Sequence, residues 1–295
     1  MAPNYSTTNS DQIIKSDNVN NALEVKEMVN GLDPDNNPHD RKIYEEARRK
    51  LIGHFEDQAN PNGTPYVYFD SVGKRTVGIG FNMDDGSARI EWQKAFSALP
   101  ENERPDFDAV LVKKIPLTQK QIDVLFNYSV KEREESLIKQ FGKAVWEWLT
   151  PSERLSIESL RYNGKFVWSK TNSEDSTEER RKRHCFTGEH TKFTKNLRKY
   201  VEHKQEGNLE LAQLYLDHSL WQVLYGSNSK QENGLQDRRN AEALLSNTYD
   251  RRIVKLRGAD QIDKEIFDCL NNQIRNTLDE IKNKYQVSHA EFAPH

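Results

Sequence analysis

The segment from Tyr66 to Asn82 constrains the fold most, because its residues follow the two-residue period of a β-hairpin. One face of this hairpin would be aromatic, acidic and lined by glycine, with Tyr66, Tyr68, Asp70, Thr76, Gly78 and Gly80. The other face would be apolar, with Val67, Phe69, Val77, Ile79 and Phe81. Gly73 supplies permissive backbone for the turn between the two strands. The segment therefore predicts a small β-lobe whose glycines let a bulky ligand approach the backbone.

Helical patterns surround this hairpin. Apolar residues spaced three and four apart predict an amphipathic helix that ends at Glu56, namely Ile43, Ala47, Leu51, Ile52 and Phe55. The run Asn60-Pro61-Asn62-Gly63 breaks that helix. After the hairpin, capping patterns at 117–121 and 150–153 predict two further helix starts. The sequence thus predicts an α+β fold that is mainly α-helical and carries a small β-hairpin lobe.

Three other segments flank or interrupt the body, which is assigned to residues 41–248. Residues 1–40 are rich in Asn, Asp, Ser and Thr and predict a flexible polar arm with a short helix around 22–29. The segment 33–40 departs from the EF-hand pattern and predicts a turn into the next helix. Residues 169–184 predict a polar insertion. An apolar stripe from Ile262 to Tyr285 predicts an amphipathic helix within a C-terminal extension, residues 249–295.

Composition excludes several classes of protein. A net charge of -3 argues against nucleic-acid binding, which requires a basic surface. No apolar run approaches the roughly 20 residues of a membrane span, and the first residues lack the basic start and apolar core of a signal peptide. Cys185 and Cys269 are expected to be free thiols of a protein made in the cytoplasm. The residues at 184–190 have no recognised zinc spacing, so no metal site is predicted.

Three side chains point to a reaction: Glu56 at the end of its helix, and Asp70 and Thr76 on the hairpin. Glycoside hydrolysis uses two carboxyl groups, one to protonate the leaving oxygen and one to act on a water or on the developing cation. Asp57 is the neighbour that competes with Glu56 for the first role. A purely structural hairpin with an Asp and a Thr is also common, so spacing alone does not decide between the two readings.

The residues Tyr68, Asp70, Gly73, Thr76, Gly78 and Gly80 form the pattern Tyr-x-Asp-x-x-Gly-x-x-Thr-x-Gly-x-Gly. With Glu56 before it, this pattern resembles the core motif of the bacteriophage-type lysozymes, glycoside hydrolase family 24. Two later segments are also similar to that family: Tyr162-Asn163-Gly164, and residues 234–242, which read Gly-Leu-Gln-Asp-Arg-Arg-Asn-Ala-Glu. The chain departs from the family where Asp57 replaces a Gly and where a longer spacing separates Glu56 from Asp70. A surface loop at 60–64 can absorb that extra length at small cost.

The resemblance implies a lysozyme-like fold with a cleft between lobes, and a muramidase that cleaves the β-1,4 link between N-acetylmuramic acid and N-acetylglucosamine in peptidoglycan. Glu56 would be the general acid, its pKa raised by partial burial. Asp70 would stay ionised and hold a water together with Thr76, which gives inversion when the carboxyl groups lie roughly 6.5 to 9.5 Å apart. The substrate contacts implied are Tyr68, Gly80, Asn82, Asn163, Arg238 and Arg239. The resemblance implies no metal and no organic cofactor.

The partner implied is a peptidoglycan glycan strand, and the producer a phage or a bacterium with phage-derived genes. Holin release, virion association or injection would deliver the enzyme to the wall. The N-terminal arm and the C-terminal helix exceed the needs of a minimal endolysin, so a virion or another protein partner is also expected. Two alternatives stay open: an inactive lysozyme-like structural or binding module, and a lytic transglycosylase or chitinase-like enzyme that uses Glu56 alone.

Overall fold

The computed structural model describes residues 17–56, 60–70, 73–112, 115–163, 192–209, 211–213, 215–216, 220 and 233–246. The part of the chain that the structure describes is mainly helical and contains a small three-stranded antiparallel sheet, which confirms the predicted α+β class. It divides into two compact units, one of residues 45–136 and one built from the segments on either side. The predicted polar insertion and the C-terminal extension lie outside the described residues.

The described elements follow one another along the chain with the sheet near its start. They are α1 (Asp17–Met28), α2 (Pro38–Glu56), β1 (Thr64–Phe69), β2 (Arg75–Gly78), β3 (Phe81–Asn82), α3 (Ala88–Phe96), a 3-10 turn (Glu101–Glu103), α4 (Phe107–Leu111), α5 (Gln119–Phe141), α6 (Lys143–Trp148), α7 (Pro151–Tyr162), α8 (Lys192–Gln205) and α9 (Asn233–Leu245).

The helix boundaries follow their sequence signals. As predicted, α2 ends at Glu56. Before α5, the Thr118 hydroxyl accepts the Gln121 N–H while the Gln121 side chain accepts the Thr118 N–H. Thr150 and Glu153 form the same reciprocal capping box before α7. These side chains satisfy N–H groups that have no partner within the helix and so fix where each helix begins.

The sheet has the order β1-β2-β3, and one row of side chains crosses all three strands. Tyr68 is opposite Thr76, and Thr76 is opposite Asn82, so the three share one face. The sequence predicted a single strand running through Gly80, and this is wrong. Instead β2 ends at Gly78, and a tight turn with φ of 61° at Gly78 and 69° at Gly80 leads into β3. Glycine reaches these positive φ angles without strain, so a third strand forms where alternation alone suggested two.

Aromatic packing attaches the sheet to the helices of the 45–136 unit. The ring of Phe81 contacts Trp92 on α3, and Trp92 in turn meets Phe96 and Phe107 with ring centroids 4.8 and 5.3 Å apart. Trp92 is buried, and its indole N–H donates to the carbonyl of Pro105 at 2.8 Å. Because the indole satisfies its one polar group, the aromatic cluster fixes β3 at no cost in unpaired hydrogen bonds.

The predicted apolar face of the hairpin is buried at four positions, namely Val67, Val77, Ile79 and Phe81. Phe69 is the exception, because 64% of it is exposed. It is the last residue of β1 and pairs with Arg75, whose side chain is 42% exposed. The end of the sheet nearest Asp70 therefore extends beyond the apolar core.

The other unit contains a continuous apolar core whose members include Leu137, Phe141, Trp146, Ile157, Leu160, Leu197, Tyr200, Tyr215 and Leu216. α1 packs on α9 and buries Val19, Ala22 and Val25, while the Lys26 ammonium donates to the carbonyl of Leu244 at 2.8 Å. Residues 17–40 are thus built into this unit, in contrast to the flexible arm that the sequence predicts. The spacing of those apolar residues gives a narrow stripe that is sufficient once α9 covers it.

Candidate functional site

Glu56, the last residue of α2, lies directly against Gly80. The position that a Cβ at Gly80 would occupy is 2.6 Å from Glu56 Oε2 and 3.1 Å from Glu56 Cδ. A side chain at position 80 would therefore collide with the carboxyl group. The structure brings together the predicted acid and one of the predicted substrate contacts, within the 45–136 unit.

Ion pairs hold the end of α2 in place. Arg48 pairs with Glu134 of α5 at 2.8 Å, and both side chains are almost fully buried. About three turns nearer the start of α5, Asp123 pairs with Arg49 at 2.6 Å and accepts a hydrogen bond from Gln119. The Gln119 side chain also donates to the carbonyl of Asn62, in the loop before β1. These contacts connect α2, α5 and the entry to the sheet, so they set the position from which Glu56 projects.

Asp70 follows β1 and closes the turn into β2. Its Oδ1 accepts the N–H of Lys74 at 2.7 Å, and its own N–H donates to the Lys74 carbonyl at 2.9 Å. Its carbonyl accepts the N–H of Gly73, which adopts a φ of 77° that permits the tight turn. The backbone of the turn therefore fixes the direction of the Asp70 carboxyl group.

Thr76 lies within β2 and is 4% exposed. Its hydroxyl donates to the Lys74 carbonyl at 3.3 Å, the same oxygen that accepts the Asp70 N–H. A hydroxyl has a single proton, so in this arrangement Thr76 offers only acceptor lone pairs to a further partner. Lys74 thus supports both Asp70 and Thr76 through its backbone.

Tyr68 and Asn82 flank Thr76 in the side-chain row of the sheet. The Asn82 Oδ1 accepts the backbone N–H of Asp84 at 2.9 Å. Because a backbone N–H can only donate, the oxygen of the amide must face it and the Nδ2 group points the other way. Among the described residues no acceptor binds this Nδ2, so Asn82 can present a donor to a ligand while it caps the local backbone.

The late sequence motif forms a buried polar network in the other unit. Arg238 donates to Glu242 at 3.1 Å and to the Ser159 carbonyl at 3.0 Å, and Arg239 contacts Glu242 and the Asn163 side chain. Arg239 and Glu242 are fully buried. The network joins α7 to α9, which gives both arginines a structural role. Their placement lends no support to the predicted substrate contacts of Arg238, Arg239 and Asn163.

Arg75 and Asp84 lie beside the site, although no sequence signal singled them out. Asp84 Oδ2 accepts the backbone N–H of Arg75 at 2.8 Å, and Asp84 Oδ1 accepts the Arg75 Nε–H at 2.7 Å. The two residues are nine positions apart, so neither strand alternation nor helix periodicity relates them. An Asp that follows a strand indicates a turn, which was the available signal.

Within the parts of the chain that the structure describes, no three His, Cys, Asp or Glu side chains are grouped so that they could bind a metal ion. In those same parts, no helix has both the length and the apolar character needed to cross a bilayer. The segment 184–190, considered above for zinc, lies outside the described residues.

No protein-family model, curated protein or solved structure matches this chain.

We expect Glu242→Gln to lower the free energy of unfolding by about 3 to 5 kcal/mol, because it leaves two buried guanidinium groups without their carboxylate. Urea denaturation followed by circular dichroism measures this change. Glu147→Gln is the matched control, since the Glu147 side chain is 44% exposed and pairs with Lys143 at 3.4 Å. That control should cost less than about 1 kcal/mol. Equal losses in the two variants would show that the network is not structural.

We expect Gly80→Ala to displace the Glu56 carboxyl group, because the new methyl would lie 2.6 Å from Oε2. The backbone strain of Ala at positive φ costs about 1–2 kcal/mol. Gly31→Ala is the control: Gly31 has a φ of 75° and nothing within 4 Å of the added Cβ. Both variants should lose similar stability, and only Gly80→Ala should shift the NMR signal of the Glu56 carboxyl carbon. An unchanged signal would contradict the close approach.

Proposed function

We propose that this chain is a lysozyme-type peptidoglycan hydrolase that cleaves the β-1,4 link between N-acetylmuramic acid and N-acetylglucosamine. The observation that supports the proposal most directly is the contact of Glu56 with the glycine turn of the sheet that also carries Asp70 and Thr76. Glycoside hydrolysis requires two carboxyl groups that flank the scissile glycosidic bond. The lysozyme-like fold is part of the same proposal.

Glu56 is assigned the role of general acid. It is half-buried at the end of α2, in a position held by the Arg48–Glu134 and Arg49–Asp123 ion pairs. Because Gly80 has no side chain, a sugar ring can approach the carboxyl group along the turn. A carboxylic acid in this position donates its proton to the glycosidic oxygen as the bond to the anomeric carbon breaks.

Asp70 and Thr76 are assigned to bind the water that attacks the anomeric carbon. The Thr76 hydroxyl already donates to the Lys74 carbonyl, and an ionised Asp70 can only accept. A water that donates one proton to each of these groups keeps a lone pair for the anomeric carbon. Asp70 then takes a proton as the new carbon–oxygen bond forms, which leaves the product with inverted configuration. This reaction consumes a water, unlike that of a lytic transglycosylase.

Tyr68 and Asn82 are assigned to substrate binding, one on each side of Thr76. The Tyr68 ring offers a flat surface for a sugar, as aromatic side chains do in carbohydrate sites. The Asn82 Nδ2 is a donor, so it suits a carbonyl oxygen such as that of an N-acetyl group. Both sugars of peptidoglycan carry this group.

Glu56→Gln and Asp70→Asn should each lower the release of reducing ends from purified cell walls by at least about a hundredfold, because each removes a proton-transfer group. Zymography and a reducing-end assay measure this loss, and urea denaturation checks that the variants fold. Asp57→Asn is the matched control and should retain activity. Full activity in Glu56→Gln, or its loss in Asp57→Asn, would overturn the assignment of the acid.

Mass spectrometry of the products separates the rival functions in the same experiment. A hydrolase leaves reducing muramic acid ends, whereas a transglycosylase leaves anhydro-muramic ends. An inactive structural module would fold normally and release neither product. Cleavage of chitin oligosaccharides without cleavage of peptidoglycan would identify a chitinase-like enzyme.

Asn82→Asp should lower kcat/KM on intact peptidoglycan by about tenfold, because the variant cannot donate the proposed hydrogen bond to the substrate. Aspartate keeps an oxygen for the Asp84 N–H, so the backbone cap survives while the donor is removed. Cell walls that have been chemically N-deacetylated provide the control. On that substrate the wild type and the variant should differ much less, and an equal difference on both substrates would contradict the acetamido contact.

A further inference from the structure

We propose that Asp84 is a positioning residue for this site: its carboxylate acts through Arg75 to fix Thr76, and its backbone N–H holds the side chain of Asn82. The inference rests on the proposed function of the same site. It concerns a carboxylate that touches neither of the assigned proton-transfer groups in the described contacts.

Asp84 is bound to the two strands that carry Thr76 and Asn82. On the β2 side its two oxygens accept the Arg75 backbone N–H at 2.8 Å and the Arg75 Nε–H at 2.7 Å. On the β3 side its own N–H donates to Asn82 Oδ1 at 2.9 Å. Between them, the Met83 N–H donates to the Arg75 carbonyl at 2.8 Å. Together these bonds close the open end of the β2–β3 hairpin and form what we call the Asp84 clamp.

The clamp fixes Thr76 because Arg75 is its neighbour in β2. Two successive backbone N–H groups in this stretch are each bound by a carboxylate: Asp70 accepts from Lys74, and Asp84 accepts from Arg75. Asp70 is a reacting group whose charge changes in the proposed reaction, so its hydrogen bond cannot serve as a constant support. Asp84 takes no part in proton transfer and provides that support.

The charge of the clamp also suits this role. Hydrogen bonds from Arg75 keep the pKa of the Asp84 carboxyl group below its ordinary value, so Asp84 is ionised at neutral pH. Successive residues of a strand project to opposite faces, which places the Arg75 side chain on the face away from Thr76. The Arg75 side chain therefore supports β2 from the opposite face of the sheet, and the face with Tyr68, Thr76 and Asn82 is left to the substrate.

Steady-state kinetics on soluble peptidoglycan fragments test the inference with Asp84→Ala and Asp84→Asn. We expect kcat of Asp84→Ala to fall about tenfold while KM stays within about twofold, because a small displacement of the water costs rate rather than binding. Asp84→Asn keeps an oxygen for the Arg75 N–H and should recover part of kcat. Asp108→Ala is the matched control: Asp108 forms an exposed two-point ion pair with Arg89 in the same unit. That control should match the wild type.

Amide hydrogen exchange without substrate provides a second measurement that does not require activity. The Arg75 N–H should exchange faster in Asp84→Ala than in the wild type or in Asp108→Ala. If Asp84→Ala matches Asp108→Ala in kcat, raises only KM, or leaves Arg75 exchange unchanged, the inference is overturned. A wild type that releases no reducing ends would instead overturn the proposed function, and the exchange rates would still report whether the clamp exists.

Discussion

The close approach of Glu56 to Gly80 is the constraint on which the rest of the site depends. A carboxyl oxygen lies 2.6 Å from the position that a Cβ at residue 80 would occupy. Gly80 also adopts a φ of 69°, so both the contact and the backbone favour glycine in the turn after β2. The ion pairs of Arg48 and Arg49 with α5 hold in place the helix that carries Glu56. A helix end, a glycine turn and a sheet are thereby combined into a single surface.

Local signals predicted those elements whose determinants are close in sequence. The end of α2 and the starts of α5 and α7 followed from apolar spacing and capping side chains, which act within one turn. The third strand did not follow, because glycines at positive φ interrupt a strand without interrupting its alternation. The docking of α1 did not follow either. Its few apolar residues suffice only because α9, some 200 residues away in the chain, covers them.

The site shows the same division between local and tertiary determinants. Tyr68, Thr76 and Asp70 were predicted on one face, and the register of β1 with β2 places Tyr68 opposite Thr76. The contact of Glu56 with Gly80 required the position of α2, which no local pattern encodes. The contacts of Asp84 could not be predicted from the sequence for a related reason. Its partners are a backbone N–H and a guanidinium group across a hairpin, and sequence gives no measure of such a bond.

The early motif (residues 56–82) and the late motif (residues 234–242) have different physical roles, so they do not support a function equally. The late motif has a structural role: the buried Arg238 and Arg239 donate hydrogen bonds to the buried carboxylate of Glu242. A protein without activity would need that network as much as an enzyme would, since an unpaired buried charge destabilises either. The early motif differs, because the Glu56 carboxyl group is only half-buried where it meets Gly80, and Asp70 lies at the end of the sheet that extends beyond the apolar core. The proposal of a hydrolase therefore depends on residues 56 to 82 alone.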